Sequence, residues 1–513
     1  MTSEIVTNTD FQKLIANRAR TLMGLVKHLS QCQSYKEITV RQFMGELLSQ
    51  STQLEELLDA YGAGTNCQWC PLRSLTAATK HFSDVSYELL HIRHSLDIYR
   101  LLPIDHDFAQ ATEDTLEFTV NVLKNVATRI LDKADHFSLT IPKEIPREKS
   151  YVEELPPGRL PHDCETRKIE KVSETVTLLT TAFLNLAVES KDVRAASHAK
   201  TEEYVSYIKG PISEEKLRSL ELQFHNLQSL YDTYVSGTEA EQLDTDLPIL
   251  RGHISVVFHL LRTATLFAHH YERHVMKQSC ASPSRLKPVV KGKALLDILM
   301  KYSITHISLY IDCAVHLCHE MLKRYAEIGR IEVPVPPYRG FHVRPSTLIS
   351  KIVLHFGSEV RMELDGESYD ASSPLELFRA NEKINFQKRK YLASEIIRLK
   401  LVPEWASGKE TNIIVRDVLL ALAEQSKLIL YDQPLQLPDE PARQEGTLLE
   451  KVTHEVAQLL VLGKIDIVTE LTATFIGDKR VLADIKLLAE SGYGEDSYGN
   501  NTPLPEELVY LRR

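Results

Sequence analysis

The sequence predicts a mainly α protein: one or two N-terminal helical bundles, then an α+β domain, then a small α+β C-terminal segment. Three observations carry this. Apolar residues recur at helical spacing through most of the first 330 positions, with almost no strand-like alternation. Prolines cluster at Pro142, Pro146, Pro156, Pro157 and Pro161, and again at Pro434, Pro438 and Pro441, which marks breaks between packed regions. Between Ser358 and Ala371 the apolar period changes to two, the signature of strands.

Taken in order, residues 1–140 read as amphipathic helices, one starting near Phe11, one from Val40 to about Tyr61, one from Thr76 to Leu102 and one from Asp107 to Lys133. Residues 141–164 form a proline-rich linker. Residues 165–330 form a second helical region, with helices expected over Thr166–Lys191, Ala196–Ile208, Ser213–Gly237, Leu247–Met276 and Lys293–Gly329, and Cys280–Ser284 separating the last two. The α+β domain is placed at 331–435. Residues 436–513 should give a helix near Leu448–Leu462, a hairpin over Leu471–Ile485 turning at Gly477-Asp478, and a glycine-containing surface tail from Gly492 to Asn501.

Composition narrows the function. The 513 residues suit three or four domains. A net charge of −10 without any basic stripe argues against nucleic acid or an anionic membrane as partner. Met1–Ile5 lacks a secretory start, and the most apolar helix, near His253 to Val275, carries Arg262 and Arg273 and so does not read as a membrane span. Seven scattered cysteines fit reduced thiols and a cytoplasmic setting. Neither a Ser-His-Asp set, a Walker loop nor a Rossmann glycine pattern is evident, so no cofactor is expected and no enzyme is named.

The stretch richest in chemistry is Gly340-Phe341-His342-Val343-Arg344-Pro345-Ser346. Leu348, Ile349, Ile352, Val353 and Phe356 follow at helical spacing, and Gly357 is a helix stop. Pro345 suits a first turn. His342 therefore sits at or just before a helix N-terminus, where free amides and the helix dipole favour an anion. Arg344 adds a planar cationic fork for phosphate oxygens, and a neutral imidazole is a competent nucleophile toward a phosphoryl donor. Downstream, Ser358–Leu364 reads as a strand, Asp365-Gly366 as a two-residue turn and Glu367–Ala371 as a return strand. Ser372-Ser373-Pro374-Leu375 starts a helix expected to run unbroken to about Leu401.

These residues resemble the histidine phosphocarrier (HPr) family of the bacterial sugar phosphotransferase system, whose signature is Gly-aliphatic-His-Ala/Thr-Arg-Pro-Ala/Ser. Gly340, His342, Arg344, Pro345 and Ser346 match it; Phe341 and Val343 depart from it. The resemblance covers about a fifth of the chain and implies an open-faced α+β sandwich. It also implies that His342 is a phosphoacceptor, with Arg344 stabilising the phosphate, and that the donor is a protein similar to enzyme I. In the family a regulatory serine opens the second helix, and Ser373 is the positional match; a plain N-cap is the simpler role for it. The family's docking surface would fall on Thr347, Leu348, Pro374, Leu375 and Phe378. The family's first strand is an edge, which tolerates Pro334, Pro336 and Pro337. Its fourth strand is not obvious here; Lys427–Tyr431 is the candidate.

Cys67-Gln68-Trp69-Cys70 reads as a loop with two free thiols rather than a metal or redox pair. Glu88 and His91 have di-iron spacing, with His94 one turn on, but lack the second motif such sites need. His259, His270 and His274 fall near one helix face, and His316, His319 and Glu320 near another; two such faces could hold a metal. The expected function is thus a phosphoacceptor or regulatory protein, with the bundles supplying partner surfaces or a homodimer contact and an unidentified protein downstream. The alternatives are a non-catalytic scaffold with a vestigial HPr-like domain, and a metal-binding helical-bundle sensor.

Overall fold

The computed structural model describes residues 6–137, 139–143, 172–276, 287–402, 411–431, 446–496 and 498–512. The chain is mostly helical with a small antiparallel sheet, and it divides into two compact units, Met1–Cys318 and His319–Arg513. Most of the proline-rich linker, the Cys280–Ser284 break and the prolines from 434 to 441 lie outside the described residues.

In the first unit the helix Cys70–Ser95 is central. It packs on Arg41–Ala60, on Phe108–Leu131 and on Asp246–His270, so both sequence regions share one core. Burial on several sides explains its even spread of apolar residues, among them Leu72, Leu75, Phe82, Val85 and Leu89. Two of its buried hydroxyls are satisfied locally: Thr79 and Ser86 donate to the carbonyls of Leu75 and Phe82, at 3.0 and 2.7 Å. The helix begins at Cys70 with Pro71 in its first turn, where the missing N–H costs nothing. The expectation of a loop through Pro71 is therefore corrected. Cys70 is disulfide-bonded and Cys67 free, which also corrects the reading of two free thiols. Among the described residues no helix is long and apolar enough to cross a membrane.

The second unit is built on four antiparallel strands: β1 (Ile328–Pro334), β2 (Val360–Leu364), β3 (Glu367–Asp370) and, after two short strands described below, β6 (Thr472–Asp478). Their order is β1-β6-β2-β3, with β1 at an edge. Asp365 and Gly366, both at positive φ, make the tight β2–β3 turn. Along β2 Val360, Met362 and Leu364 are buried while Arg361 and Glu363 are exposed, so helices cover one face. Those helices, Val343–Phe356, Pro374–Arg379 and Lys479–Glu490, share a core with the strands through Ile349, Val353, Met362, Leu377, Phe475 and Ile485.

Three expectations are corrected here. The hairpin over Leu471–Ile485 is instead a strand followed directly by a helix. Asp478 caps that helix by accepting from the Arg480 amide at 3.0 Å, and a Cβ on Gly477 would lie 2.7 Å from the Glu359 carbonyl oxygen, so this glycine serves close strand packing, not a turn. The helix expected from Leu375 to Leu401 is two, Pro374–Arg379 and Asn381–Arg398, meeting at Ala380, and Asn381 at the start of the second accepts from the Phe341 amide at 2.8 Å. The candidate strand at Lys427–Tyr431 belongs elsewhere: β4 (Leu428–Leu430) pairs with β5 (Ile465–Ile467) in a separate two-stranded sheet. That sheet and the helices Asn381–Arg398, Thr411–Glu424 and Leu448–Val461 form a second core around Ile396, Val418, Leu422, Val456 and Leu459. The second core interrupts the first, and the main core extends past the boundary that the sequence places at 435.

The two cores are tied by a buried ion pair. Lys388 Nζ lies 2.6 Å from Asp466 Oδ1, both side chains only 4% exposed, and Asp466 Oδ2 accepts from the Arg339 amide at 3.2 Å. Removing one partner strands a buried charge. Asp466→Ala is expected to lower the unfolding free energy of this unit by about 3–5 kcal/mol in urea titration. The double variant Lys388→Met with Asp466→Leu should recover most of that loss; no recovery would mean the pair is not the cause.

Candidate functional site

The site grows from a bent segment. Arg339 and Gly340 both take left-handed backbone conformations, with φ of 51° and 64°. A Cβ on Gly340 would sit 2.4 Å from Asn381 Oδ1, the atom that accepts from the Phe341 amide, so position 340 needs glycine twice over. The Phe341 ring is fully buried between Phe475 and Tyr493. Its carbonyl accepts from Ser346 Oγ at 2.8 Å. This anchoring fixes the next residue, His342, as the N-cap of the helix Val343–Phe356.

Pro345 has no N–H, and the Ser346 amide is spent on the His342 carbonyl at 3.1 Å. The amides of Val343 and Arg344 belong to the first-turn donors that helix geometry leaves without intrahelical acceptors. The positive end of the helix dipole is therefore beside His342. The Tyr338 ring stands edge-on to the imidazole, centroids 5.2 Å apart.

Sequence reasoning missed the residue that completes the site. Glu495 Oε2 lies 2.7 Å from His342 Nε2, and Glu495 Oε1 lies 3.8 Å from Arg344 Nε, an ion pair too long for a hydrogen bond. The Glu495 side chain is 7% exposed. The segment expected to be a surface tail is folded inward instead. Tyr493 is buried and donates its hydroxyl to the Pro334 carbonyl at 2.6 Å; Glu495 bridges to Asn501; and the Thr502 amide donates to Gly494 at 2.9 Å. The only local signal was Gly492-Tyr493-Gly494, all at positive φ, a tight turn that can bring a following side chain back onto the core.

The chemistry follows from the donor inventory. A carboxylate only accepts, so Nε2 carries a proton in this pair, and in the neutral ring Nδ1 is then the nitrogen with the lone pair. The site thus holds an oriented imidazole with one nucleophilic nitrogen, a cationic fork and a helix N-terminus. A cleft of about 490 Å³ runs beside it, lined by Arg344, Thr347, Lys351, Thr502 and Leu504.

Of the residues expected on a docking surface, Pro374, Leu375 and Phe378 are exposed, and Thr347 is half-buried with its hydroxyl on the Val343 carbonyl at 2.6 Å. Leu348 is 8% exposed, packs in the core with Ile349 and Ile352, and also lines the cleft. Ser373 is an N-cap whose Oγ accepts from the Glu376 amide at 3.4 Å.

The bundle histidines are arranged differently from the expectation. Glu88 pairs with His259 at 2.7 Å and Arg262 at 2.9 Å, while His91 contacts the Tyr99 hydroxyl at 2.9 Å and packs on the His259 ring, centroids 4.1 Å apart. Burial, reinforced by His259, pushes His91 down to about 4. Among the described residues, the metal-capable groups do not join His316, His319 or Glu320 to the 259–274 face; His81 joins His269 and His274 instead. Comparison with known proteins returns no match to a family model, a curated protein or a solved structure.

Proposed function

We propose that the second unit is an HPr-like phosphoacceptor in which His342 receives a phosphoryl group from a donor protein similar to enzyme I. The observation that carries this reading is the His342–Glu495 pair at the helix N-terminus, with Arg344 alongside. The Nδ1 lone pair attacks phosphorus, a P–N bond forms and the donor's bond to phosphorus breaks. The proton stays on Nε2, hydrogen-bonded to Glu495, whose carboxylate offsets the positive charge the ring acquires. Arg344 and the first-turn amides face the phosphate oxygens.

The element order supports the fold part of this reading. A strand, the His342 helix, two strands, a short helix opened by Ser373, a fourth strand and a third helix follow one another once the second core is set aside as an insertion. The insertion and the large helical unit favour a regulatory or dedicated acceptor over a general sugar-transport carrier. Leu375, 69% exposed, and Phe378, 48% exposed, give such an acceptor an apolar contact surface.

The test is labelling of the purified protein with phosphoenolpyruvate and enzyme I, read by intact mass and acid lability. One acid-labile phosphate, absent from His342→Ala, is the expected result. A second reading rests on the same pair: Glu495 already supplies an anion to both His342 and Arg344, as a scaffold that binds no phosphate would require. No labelling from any phosphohistidine donor, with partner binding intact in His342→Ala, would favour it.

A further inference from the structure

The first unit holds a group of histidines independent of the site above. His81 comes from the helix Cys70–Ser95, His269 from the last turn of Asp246–His270, and His274 from the π-helical segment Tyr271–Met276 that continues it. In an α-helix residues five apart point about 140° away from each other. The wider π turn brings the fifth residue back round, and such segments recur at functional sites. Ring centroids are 4.5 Å apart for His81 and His269 and 5.2 Å for His81 and His274, and one nitrogen from each of the three rings lies within 4.8 Å of the others.

Three imidazoles packed this closely make poor structural residues where a buried ring nitrogen is left without a partner. His81 is only 7% exposed, and its Nδ1 has no hydrogen-bond partner among the described residues. Leaving such an atom unsatisfied costs about 1–3 kcal/mol. His270, 3% exposed, stacks on His274 with its own Nδ1 unpartnered. Beside the group, Glu214 Oε1 lies 2.9 Å from His269 Nδ1 and accepts from Arg218 at 3.0 Å, which puts a carboxylate within reach of one ligand's outer nitrogen.

We propose that His81, His269 and His274 bind one divalent transition-metal ion, with zinc the natural occupant and one coordination position left for water or a further ligand. Imidazole nitrogens select zinc, copper, nickel or iron over magnesium and calcium, and three protein ligands with an open position is a familiar zinc arrangement. The rival group among the described residues, His28, Cys32 and Glu37, is less suited: burial raises the Cys32 thiol, and a thiol must lose its proton to bind metal.

The test uses the untagged full chain, stripped with chelator and titrated with Co²⁺, then displaced with Zn²⁺. One equivalent of Co²⁺ should bind, giving d–d bands with no thiolate-to-cobalt charge-transfer band. Affinity should fall by about a hundredfold or more in His274→Gln and in His81→Asn, and stay unchanged in Cys32→Ser. Zn²⁺ should raise the melting temperature of the wild type in a concentration-dependent way but not that of His274→Gln. Circular dichroism of the metal-free variants separates lost binding from lost folding, and His274, at the end of its helix, is the less disruptive change. A charge-transfer band lost in Cys32→Ser, tight binding retained in both histidine variants, or no binding by the wild type would each overturn the proposal.

Discussion

Glu495→Gln is expected to slow phosphoryl incorporation at His342 by roughly two to four orders of magnitude, the scale on which losing the carboxylate that orients a catalytic histidine acts. The amide keeps the length of the side chain and can still accept from Nε2–H, so packing around Tyr493 should survive. What it loses is negative charge at a position 2.7 Å from Nε2, where the ring becomes cationic on phosphorylation. An amide can also turn its NH₂ toward the imidazole, which would favour the tautomer whose proton sits on Nδ1 and block the nucleophile. Glu495→Ala should be slower still, since it leaves the tautomer unassigned. Two readouts separate this positioning role from a structural one. Nitrogen NMR of His342 should report an Nε2–H tautomer in the wild type and a mixture in the variants. Urea unfolding should shift little in Glu495→Gln. If that variant labels at the wild-type rate, Glu495 plays no part in the chemistry. If it fails to fold, its contribution is structural.

The contrast between what the sequence revealed and what it hid is physical. His342, Arg344 and Pro345 are legible because helix-start chemistry is local: the N-cap, the early proline and the apolar stripe behind them lie within one stretch of chain. The Asp365-Gly366 turn is legible for the same reason. Glu495 is not, since it reaches His342 across 153 residues and its own surroundings, glycines and polar side chains, look like a loop. The fourth strand was hidden by an inserted core that supplies its own strand signals at Leu428–Leu430 and Ile465–Ile467. Local pattern cannot tell which core a strand will join. Gly477-Asp478 misled because the same dipeptide serves a hairpin turn and a strand-to-helix junction. The histidine cluster is only half legible: the α-helical period pairs His270 with His274, whereas a π segment pairs His274 with His269, and His81 has no neighbour in sequence to mark it.

Acidification of the metal-free protein is expected to unfold the first unit between about pH 6.5 and 4, well above the carboxylate range. His253 is fully buried and spans two backbone groups: Nε2 accepts from the Leu102 amide at 3.1 Å, and Nδ1–H donates to the Tyr310 carbonyl at 3.1 Å. Only the neutral ring can do both, because a protonated Nε2 would confront the Leu102 N–H. Burial accordingly pushes His253 down to about 4. His306, 2% exposed, is also held down to about 4, chiefly by burial. The sign follows from proton counting. Above the unfolded value of 6.5 both states are neutral at these rings and nothing changes. Between 6.5 and about 4 the unfolded chain binds protons that the folded chain refuses, so stability falls as pH falls. Each histidine then removes about 1.4 kcal/mol per pH unit, or about 3 kcal/mol over the window. Two together reach the lower end of the stability of an ordinary domain, about 5–15 kcal/mol. The measurement is the urea midpoint against pH in the Trp405→Phe background, where buried Trp69 reports on this unit alone. His253→Gln offers the same donor and acceptor without titrating, so its curve should be shallower by about 1.4 kcal/mol per pH unit. His253→Ala should lie lower at every pH by roughly 3–5 kcal/mol, from the cavity and two orphaned backbone groups. A glutamine variant with the wild-type slope would show that His253 does not set the acid limit.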